Sequence, residues 1–411
     1  MSATGKAGAL LLPLALLLAF AAASQPRFFT YAGDIGTDRV LIAWGTTTGL
    51  RANTIGRESA SHGEAIVTLN GEHRVSGRNW IEVSGLDADT NYPYRVTVDG
   101  RVAGEGVVRT HPVSADRLDF FVIGDYGNGS AGQHELARVM VREFERLKAA
   151  GRPVRFVLTV GDNIYASTLF GIPLPFGTGR HDRDWEKKHF APYEAILREV
   201  PFYMILGNHD GRESESAADL PVQFDNFFFP GNRPARYYSF GYGNLVDFFA
   251  LDTTRNTDEG LGPQTAWLGG ALAKSRAPWK IVYGHHPPFN AGPRHGGEIE
   301  RLRPITRLLA QHRVATYLCG HEHNFQVSTR DTEMAPTVMF LTGAGGELRA
   351  GDARRGMKRA RIAAWAPVRH FLHVAIEGET MRITPLAAAP VRPVDPDGRA
   401  VPLPFVLPKP E

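Results

Sequence analysis

The spacing of apolar residues in the first quarter of the chain is typical of β-strands. Apolar and polar positions alternate over short runs, and turn-forming pairs such as Asn70-Gly71 and Asp99-Gly100 separate these runs. We expect residues 25–113 to form a small all-β sandwich, with Trp44 as a large side chain in its core. The predicted strands are Val40–Trp44, Ala65–Leu69, Asn79–Val83, Tyr92–Val98 and Gly106–Arg109.

The pattern changes beyond residue 114, where strand-like apolar runs alternate with helical periodicity. This alternation indicates an α/β fold, with layers of sheet and helix, over residues 114–388. The proline-rich residues 389–411 are expected to form an extended tail on the surface. Helices are predicted at His134–Ala150, Trp185–Glu199, Gln264–Lys274 and Glu298–His312.

Residues 1–24 are not expected to belong to the fold. Ala9–Ala23 is an unbroken apolar run of 15 residues, whereas roughly 20 are needed to span a bilayer. Lys6 precedes this run, and Ala21-Ala22-Ala23 provides the small residues that a signal peptidase needs. We therefore expect a signal peptide and a secreted or periplasmic protein. An uncleaved membrane anchor is the alternative.

Composition narrows the class of protein further. The 411 residues are 43% hydrophobic and 22% charged, as in an ordinary globular protein. The formal net charge of +3 is too small to indicate nucleic acid or an anionic membrane as a partner. Cys319 is the only cysteine, so the chain has no internal disulfide and depends on its core for stability. Cys319 itself ends a strand-like run and is expected to be buried.

Five predicted strands end in the same way, with oxygen or nitrogen donors at or beside a glycine. If these strands are parallel neighbours, the donors meet at one edge of the sheet. A single Gly-Asp pair is usually a turn, but turns and packing do not explain five such motifs in succession. The motifs are Gly124-Asp125-Tyr126-Gly127, Gly161-Asp162-Asn163-Ile164-Tyr165, Gly207-Asn208-His209-Asp210, Val282-Tyr283-Gly284-His285 and Gly320-His321-Glu322-His323.

The donor types indicate metal chemistry. Carboxylate, imidazole, amide oxygen and phenolate together suit first-row transition metals, rather than calcium or a structural zinc site with thiolate ligands. If one carboxylate bridges, seven such residues give each of two metal ions four protein ligands. Two metal ions about 3.5–4 Å apart are the usual arrangement for displacement at phosphorus. The candidate ligands are Asp125, Asp162, Tyr165, Asn208, His285, His321 and His323.

Taken together, the five motifs resemble those of the purple acid phosphatases, within the metallophosphoesterase superfamily. The resemblance extends over roughly residues 119–345, and Gly343-Ala344-Gly345-Gly346 is similar to a glycine-rich loop of that family. The first domain resembles a fibronectin type III sandwich, because Leu86–Tyr92 looks like its tyrosine corner. The resemblance implies a metallophosphoesterase-type catalytic domain behind a β-sandwich, as in the larger family members.

The resemblance also implies a ligand set. In most metallophosphoesterases a histidine completes the first motif, but this chain has Tyr126-Gly127 there, and Tyr165 restores the number of ligands. A phenolate suits Fe(III), and their charge-transfer band gives the family its colour. The divalent ion would be iron, zinc or manganese. The implied ligands are Asp125, Tyr165 and His323 for the ferric ion, Asn208, His285 and His321 for the divalent ion, and Asp162 as the bridge.

By the same resemblance, the chain is expected to be an exported acid phosphatase that hydrolyses phosphomonoesters. A metal-bound hydroxide would attack phosphorus, and His209 would protonate the leaving alkoxide. Asp210 would either orient the His209 imidazole or be a loop carboxylate. His295 resembles the second substrate histidine of the family, although its spacing is one residue longer.

Three features near the motifs have weaker implications. His286 is expected to be a neighbour of the ligand His285 rather than a ligand, and Arg294 a solvated loop residue. Gly171–Asp184 is an irregular insertion that could roof the pocket.

Two other functions remain open from the sequence. Phosphodiesterases and nucleotide hydrolases of the same superfamily usually carry the histidine that the first motif lacks. An exported adhesive or scaffold protein with a dead phosphatase domain would be expected to have lost some ligands, whereas all seven are present. The expected partner is a phosphomonoester substrate, with no nucleic acid and no membrane beyond the export signal.

The phenolate ligand predicts iron and colour. The purified protein should hold close to two metal ions per chain, at least one of them iron, and absorb visible light. Tyr165→Phe removes the donor oxygen of the charge-transfer transition, so it should abolish the visible band. Metal analysis and absorption spectra of both proteins check this. A colourless, fully active wild type with two zinc or two manganese ions would contradict the ferric assignment.

Overall fold

The computed structural model describes residues 27–46, 60–165, 168–169, 172–173, 185–210, 226–255, 260–349 and 351–411. The predicted signal peptide lies outside these ranges, as does nearly all of the predicted insertion at 171–184.

The N-terminal domain is a sandwich of seven strands, namely β1 (Phe28–Ile35), β2 (Arg39–Thr46), β3 (Ala60–Leu69), β4 (Glu72–Arg78), β5 (Trp80–Ser84), β6 (Asn91–Val98) and β7 (Arg101–Arg109). One sheet has the order β1-β2-β5 and the other β4-β3-β6-β7. Trp44 is fully buried in the core. The backbone N–H of Asp87 donates to the Tyr92 hydroxyl over 2.8 Å, which is the bond of a tyrosine corner. The predicted fibronectin type III-like sandwich is confirmed.

The sequence pattern does not predict β1 and β4, and the burial of β1 explains why it was missed. All of its residues after Phe28 are buried, so the strand lacks the alternation of a half-exposed strand. Ala32 faces the core of the sandwich. Phe29 and Tyr31 instead belong to the main core of the following domain. The strand is therefore covered on both faces.

The second domain is built on two sheets. Its strands are β8 (Arg117–Ile123), β9 (Val154–Thr159), β10 (Thr168–Leu169), β11 (Ile172–Pro173), β12 (Phe202–Tyr203), β13 (Tyr238–Tyr242), β14 (Val246–Ala250), β15 (Trp279–Tyr283), β16 (Thr316–Cys319), β17 (Phe325–Ser328), β18 (Val338–Thr342), β19 (Ile362–Ala366), β20 (Phe371–Glu377), β21 (Thr380–Leu386) and β22 (Phe405–Pro408). The first sheet has the order β12-β9-β8-β20-β21-β22 and the second β13-β14-β15-β16-β18-β17-β19, while β10 and β11 pair separately. Strands β12, β9 and β8 are parallel, as are β14, β15, β16 and β18.

The two sheets pack face to face through aromatic side chains. Phe120 on β8 and Phe156 on β9 each meet Phe248 on β14 edge to face, with ring centroids 5.3 and 5.2 Å apart. All three rings are fully buried. This shared core fixes the position of one sheet against the other, and so positions the loops at their ends.

Helices cover the outer faces of the sheets. They are α1 (Ala131–Ala149), α2 (Ala191–Leu197), α3 (Gly262–Lys274), α4 (Ile299–Gln311) and the short α5 (Arg354–Met357), with a π-helical turn at Glu186–Phe190 and a 3-10 turn at Pro230–Asn232. Met140 of α1 packs in the core of the first sheet, and Leu268 of α3 and Leu309 of α4 pack on the second. The predicted α/β layers are confirmed. None of the helices in the described ranges is long and apolar enough to cross a membrane.

The segment after Leu386 is bound to both sheets. Strand β22 pairs with β21 at the edge of the first sheet. Val394 exchanges two backbone hydrogen bonds with Trp365 of β19, over 2.9 and 3.0 Å, at the edge of the second sheet. The proline-rich segment is extended and connects the two edges.

Asp34 of β1 joins the sandwich to the second domain. Its carboxylate is 2% exposed and accepts hydrogen bonds from the Tyr203 hydroxyl, over 2.9 Å, and from the backbone N–H of Gly231, over 3.0 Å. Arg39 of the neighbouring strand donates to it over 3.0 Å. A buried carboxylate with these donors stabilises the interface as long as its charge is matched.

Asp34→Asn is expected to weaken this interface. The amide keeps the size of the carboxylate but loses the charge and presents N–H donors to other donors, which should lower the free energy of unfolding by about 1–3 kcal/mol. Urea unfolding measures it. The matched control is Asp87→Asn, an exposed carboxylate of the same domain, with an expected change within about 0.5 kcal/mol. Equal stability of the two variants would contradict the role of Asp34.

Candidate metal centre

The candidate site lies where the carboxyl ends of parallel strands from both sheets meet. Strands β8, β9 and β12 come from the first sheet, and β15, β16 and β18 from the second. The sequence left the strand order open, and the structure divides these parallel strands between two sheets. Backbone hydrogen bonds of 2.9 Å from Gly345 to Gly124 and from Gly346 to Asp125 join the loops of the two sheets.

Three of the candidate ligands have left-handed backbone conformations. The φ angles are 54° at Asp125, 49° at Asp162 and 73° at His321. Aspartate and histidine visit this region more readily than most other residues with a side chain. Such conformations cost about 1–3 kcal/mol each and persist where the surroundings determine them, often at functional sites. Each one turns the chain sharply at the end of its strand.

The first group of donors surrounds the Tyr165 hydroxyl. Its oxygen lies 3.1 Å from Asp125 Oδ1, 3.2 Å from Asp162 Oδ2 and 3.1 Å from His323 Nε2. The Tyr165 backbone N–H donates to the Gly127 carbonyl oxygen over 2.8 Å, and buried Lys188 donates to the Tyr165 carbonyl oxygen over 2.8 Å. Tyr165 therefore contacts the first, second and fifth motifs at one point.

The second group surrounds the amide of Asn208. Its Oδ1 lies 3.0 Å from His285 Nε2 and 2.9 Å from His321 Nδ1. His285 Nε2 is also 3.5 Å from Asp162 Oδ2. Asp162 is thus near both groups, and the structure brings all seven candidate ligands together in two clusters that share it.

The protons of these residues do not satisfy their acceptors. His285 donates through Nδ1 to the Val160 carbonyl oxygen over 2.8 Å, so the Nε2 of the neutral ring presents a lone pair to the Asn208 oxygen. The Tyr165 hydroxyl has one proton, whereas two carboxylates and an imidazole lie within hydrogen-bond distance of it. A cation in each cluster would remove both conflicts. The residues present therefore fit a pair of metal ions.

The pKa values in the cluster follow from burial and charge. Burial raises the pKa of the Tyr165 hydroxyl, and the carboxylates of Asp125 and Asp162 raise it further. Burial also raises the pKa of Asp125. At Asp162 burial opposes ionisation, but His285 and His209 outweigh it and lower the pKa. The phenol is therefore neutral unless a highly charged cation favours its ionised form.

His209 lies beside both donor groups. Its backbone N–H donates to Asp162 Oδ1 over 2.7 Å, and its ring centroid is 4.7 Å from that of Tyr165. The side chain is half-buried. A ligand that enters from solvent and binds at the metal centre could therefore contact the imidazole.

Asp210 is fully buried and joins the second and third motifs. Its Oδ1 accepts from the backbone N–H of Asn163 over 2.8 Å and of Ile164 over 3.2 Å. Its Oδ2 accepts from the Gly207 N–H and from the Asn163 amide, both over 2.8 Å. The bonds from Asn163 and Ile164 hold the second motif against the third.

His295 and His286 both pack against the ligand candidate His321. The His295 and His321 ring centroids are 4.2 Å apart, and His295 is half-buried. The His286 ring centroid is 4.5 Å from that of His321, and its Nδ1 lies 3.2 Å from Thr253 Oγ1. Arg294 is exposed.

Sequence reasoning did not single out Glu322 and Arg349. Glu322 is fully buried between two candidate ligands, and its Oε2 accepts from the His295 backbone N–H over 3.1 Å. Arg349 donates its backbone N–H to the His323 carbonyl oxygen over 3.1 Å. The signal for Glu322 was its place inside Gly-His-Glu-His. Arg349 follows the glycine-rich loop, and no sequence motif marks it as part of the site.

Gly207 lies where no side chain fits. A methyl group on its Cα would overlap the backbone nitrogen and the carboxylate of Asp162. The third motif thus approaches the second as closely as backbone allows, and this approach brings Asn208 to His285.

Gly207→Ala is expected to displace Asp162. The variant should bind fewer metal ions per chain and lose most of its phosphatase activity, because the displaced carboxylate is near both donor groups. Metal analysis and an aryl phosphate assay measure this. The control is Gly296→Ala, since a methyl group at Gly296 meets nothing within 4 Å. Full metal content in Gly207→Ala would contradict this prediction, because it would show that the loop can move to accept the methyl group while the site stays intact.

Comparisons with known proteins agree with this geometry. The profile of the calcineurin-like phosphoesterases matches residues 118–325, about half of the chain. The chain is 31% identical to purple acid phosphatase 3 of Arabidopsis thaliana, over 56% of this chain and 63% of that protein. It is 26% identical to tartrate-resistant acid phosphatase type 5 of Sus scrofa, over 72% of this chain and 90% of that protein.

A solved structure shares the fold. The structure of the purple acid phosphatase PPD1 from yellow lupin (Lupinus luteus) seeds superposes with a TM-score of 0.66 at 14% identity, covering 93% of this chain and 74% of that one. The chain therefore belongs to the calcineurin-like phosphoesterase family, and it is similar to the purple acid phosphatases in sequence and fold.

Proposed function

We propose that this chain is an exported acid phosphatase that hydrolyses phosphomonoesters at a dinuclear centre of Fe(III) and a divalent metal ion. The observation that carries the proposal is the position of the Tyr165 hydroxyl. It lies within 3.2 Å of two carboxylates and an imidazole, all from other strand ends or the same loop. The phenol has one proton for two buried carboxylates, whereas a cation bound to its oxygen would pair with both of them and with the imidazole.

The two donor clusters suggest how the ligands divide. The ferric site would take Asp125, Tyr165 and His323, since these meet at the phenol oxygen. The divalent site would take Asn208, His285 and His321, which meet at the amide oxygen. Asp162 would bridge, because one of its oxygens lies near a member of each cluster. Phenolate and carboxylate favour a hard trivalent ion, whereas imidazole and amide suit Fe(II), Zn(II) or Mn(II).

When bound, the metal ions would supply Lewis acidity toward the phosphoryl group and lower the pKa of water. The residues of the chain do the rest. His209 would give its proton to the leaving alkoxide oxygen, because its imidazole lies beside the cluster and is open to solvent. His295 would bind a phosphoryl oxygen from the other side, next to His321. Asp210 would act as a positioning residue through its bonds to Asn163 and Ile164 of the neighbouring loop.

Export is proposed from the sequence of residues 1–24. The apolar run is shorter than a bilayer span, and it ends in the small residues Ala21-Ala22-Ala23. Comparison of the N-terminus of the mature protein with the gene product tests this, since a cleaved protein would begin near residue 25.

The proposed activity is tested with a panel of phosphomonoesters and phosphodiesters, together with metal analysis. Turnover of monoesters well above diesters, with about two metal ions per chain, supports the proposal. Preference for diesters would favour the phosphodiesterase reading. Absence of both turnover and metal would favour a non-enzymatic scaffold.

His209→Ala is expected to retain metal and to lose about 10²–10⁴-fold in kcat for an alkyl phosphate, the usual size of a general-acid contribution. The loss should be smaller for nitrophenyl phosphate, whose leaving group needs no proton. The control is His312→Ala, at the end of α4. Equal losses for both esters would show that His209 only binds phosphate.

A further inference from the structure

A cavity of about 250 Å³ lies between the sandwich and the second domain. Arg109, the last residue of β7, lines it from the sandwich, and the amino ends of β8 and β9 line it from the second domain. The candidate metal centre lies at the carboxyl ends of these two strands, so the cavity is at their opposite end. Four guanidinium groups of the described residues line it, those of Arg109, Arg117, Arg152 and Arg155.

The carboxylates of this cavity pair with three of the arginines. Asp119 accepts two hydrogen bonds from Arg152, over 2.8 and 3.3 Å, and Nε of Arg117 lies 3.7 Å from it. Asp89 accepts a hydrogen bond from Arg109 over 2.9 Å. The aspartates of the described lining are Asp89, Asp116 and Asp119. Four arginines therefore meet three aspartates, which leaves one positive charge in excess.

Arg155 is the arginine whose charge no carboxylate matches closely. Its side chain is only 6% exposed, and its Nη2 donates to the carbonyl oxygens of Thr110 and Arg109 over 2.6 and 3.3 Å. Its Nη1 is 3.9 Å from Asp89 Oδ1, which is too far for a hydrogen bond. Carbonyl oxygens pair with N–H groups but carry no net charge. A buried cation in this position is costly until an anion lies next to it.

The pKa of Arg155 reflects the same imbalance. Burial lowers this pKa, and the charge of Arg109 lowers it further, while Tyr242 and Asp89 raise it only in part. The guanidinium carbon lies 5.7 Å from the centroid of the Tyr242 ring, a cation–π contact worth about 0.5–2 kcal/mol. An anion in the cavity would favour the charged form of the guanidinium, because opposite charges at short range stabilise each other.

The arginines have N–H groups available for such an anion. Their hydrogen bonds use Nη2 in all four residues, and Nε only in Arg109 and Arg152. Within the described ranges, Nη1 therefore makes no hydrogen bond in any of them. Guanidinium N–H groups form short, charge-assisted hydrogen bonds to phosphate oxygens. The volume of the cavity equals that of about eight water molecules in the liquid, which is enough for a small oxyanion.

We propose that this cavity, the interdomain anion site, binds a small oxyanion of the phosphate class. The site consists of Arg109, Arg117, Arg152 and Arg155, and it is separate from the candidate metal centre. Its ligand would bridge the domains, because Arg109 belongs to the sandwich and the other three arginines to the second domain. The inference goes beyond the proposed function and does not depend on it.

The experiment is equilibrium dialysis of the purified protein against labelled inorganic phosphate, in a buffer without other oxyanions. It counts the phosphate bound per chain and gives the Kd. The proposed metal centre would bind phosphate as well. The interdomain anion site is therefore identified as the binding that substitution of its arginines removes.

Two variants and one control address the site. Within the described ranges the Arg109 side chain bonds only to Asp89, so Arg109→Gln leaves the carbonyl oxygens that hold Arg155 in place. Arg155→Gln removes the buried charge itself. The matched control is Arg95→Gln, because Arg95 also belongs to the sandwich and pairs with a carboxylate, that of Glu105 over 2.9 Å, but does not line the cavity.

The Kd of one phosphate per chain should rise about 10–100-fold in Arg109→Gln and in Arg155→Gln, the range expected for losing charge-assisted hydrogen bonds. Arg95→Gln should keep the wild-type Kd. Sulfate should compete for this site, whereas chloride at equal ionic strength should not. Where Arg155→Gln does not fold, Arg109→Gln decides.

The proposal is overturned if the Kd in Arg109→Gln stays within about twofold of the wild type, or if chloride displaces the phosphate as well as sulfate does. A wild type that hydrolyses no phosphoester would refute the proposed function. The dialysis comparison would still decide whether the interdomain anion site exists, because none of its arginines belongs to the metal centre.

Discussion

Crowding of oxygen and nitrogen ligand atoms where two sheets meet is the constraint on which this structure depends. The phenol of Tyr165 and the amide of Asn208 each collect acceptors from other motifs, at distances where a proton or a cation has to intervene. Such a cluster is costly for a protein without a ligand, because buried polar groups must be paired. Left-handed turns, a glycine without room for a methyl group and two aligned sheets all serve to bring these acceptors together. Their common result is a place for positive charge.

The sequence predicted the local elements well. The helices have strong 3.6-residue periodicity, and each predicted one is found within a few residues of its place. The tyrosine corner could be predicted because one hydroxyl and one backbone N–H, five residues apart, determine it. Strand β1 could not, because burial on both faces removes the alternation that reveals a strand.

The candidate site was predictable in its members but not in its assembly. Donors after strand ends point to a common edge, yet the division between two sheets follows from aromatic packing among Phe120, Phe156 and Phe248, which no local pattern displays. Asp210 illustrates the same limit. Its motif placed it next to His209, but Asn163 and Ile164 of another loop donate three hydrogen bonds to its carboxylate. Arg349 lies at the site because backbone hydrogen bonds hold its loop against Asp125 and His323.

The shared position of Asp162 has a consequence for the thermodynamics of the whole chain. If metal ions bind as proposed, a carboxylate near both donor groups would make metal occupancy part of the folded state, since an unfolded chain does not present the same seven residues together. Binding of a metal ion L to the folded chain alone would add RT ln(1 + [L]/Kd) to the free energy of unfolding, which is about 2.7 kcal/mol when the free metal concentration is about 100 times Kd. The folded chain would then be more stable in a metal-rich medium than in a metal-poor one, and a chelator would lower its free energy of unfolding.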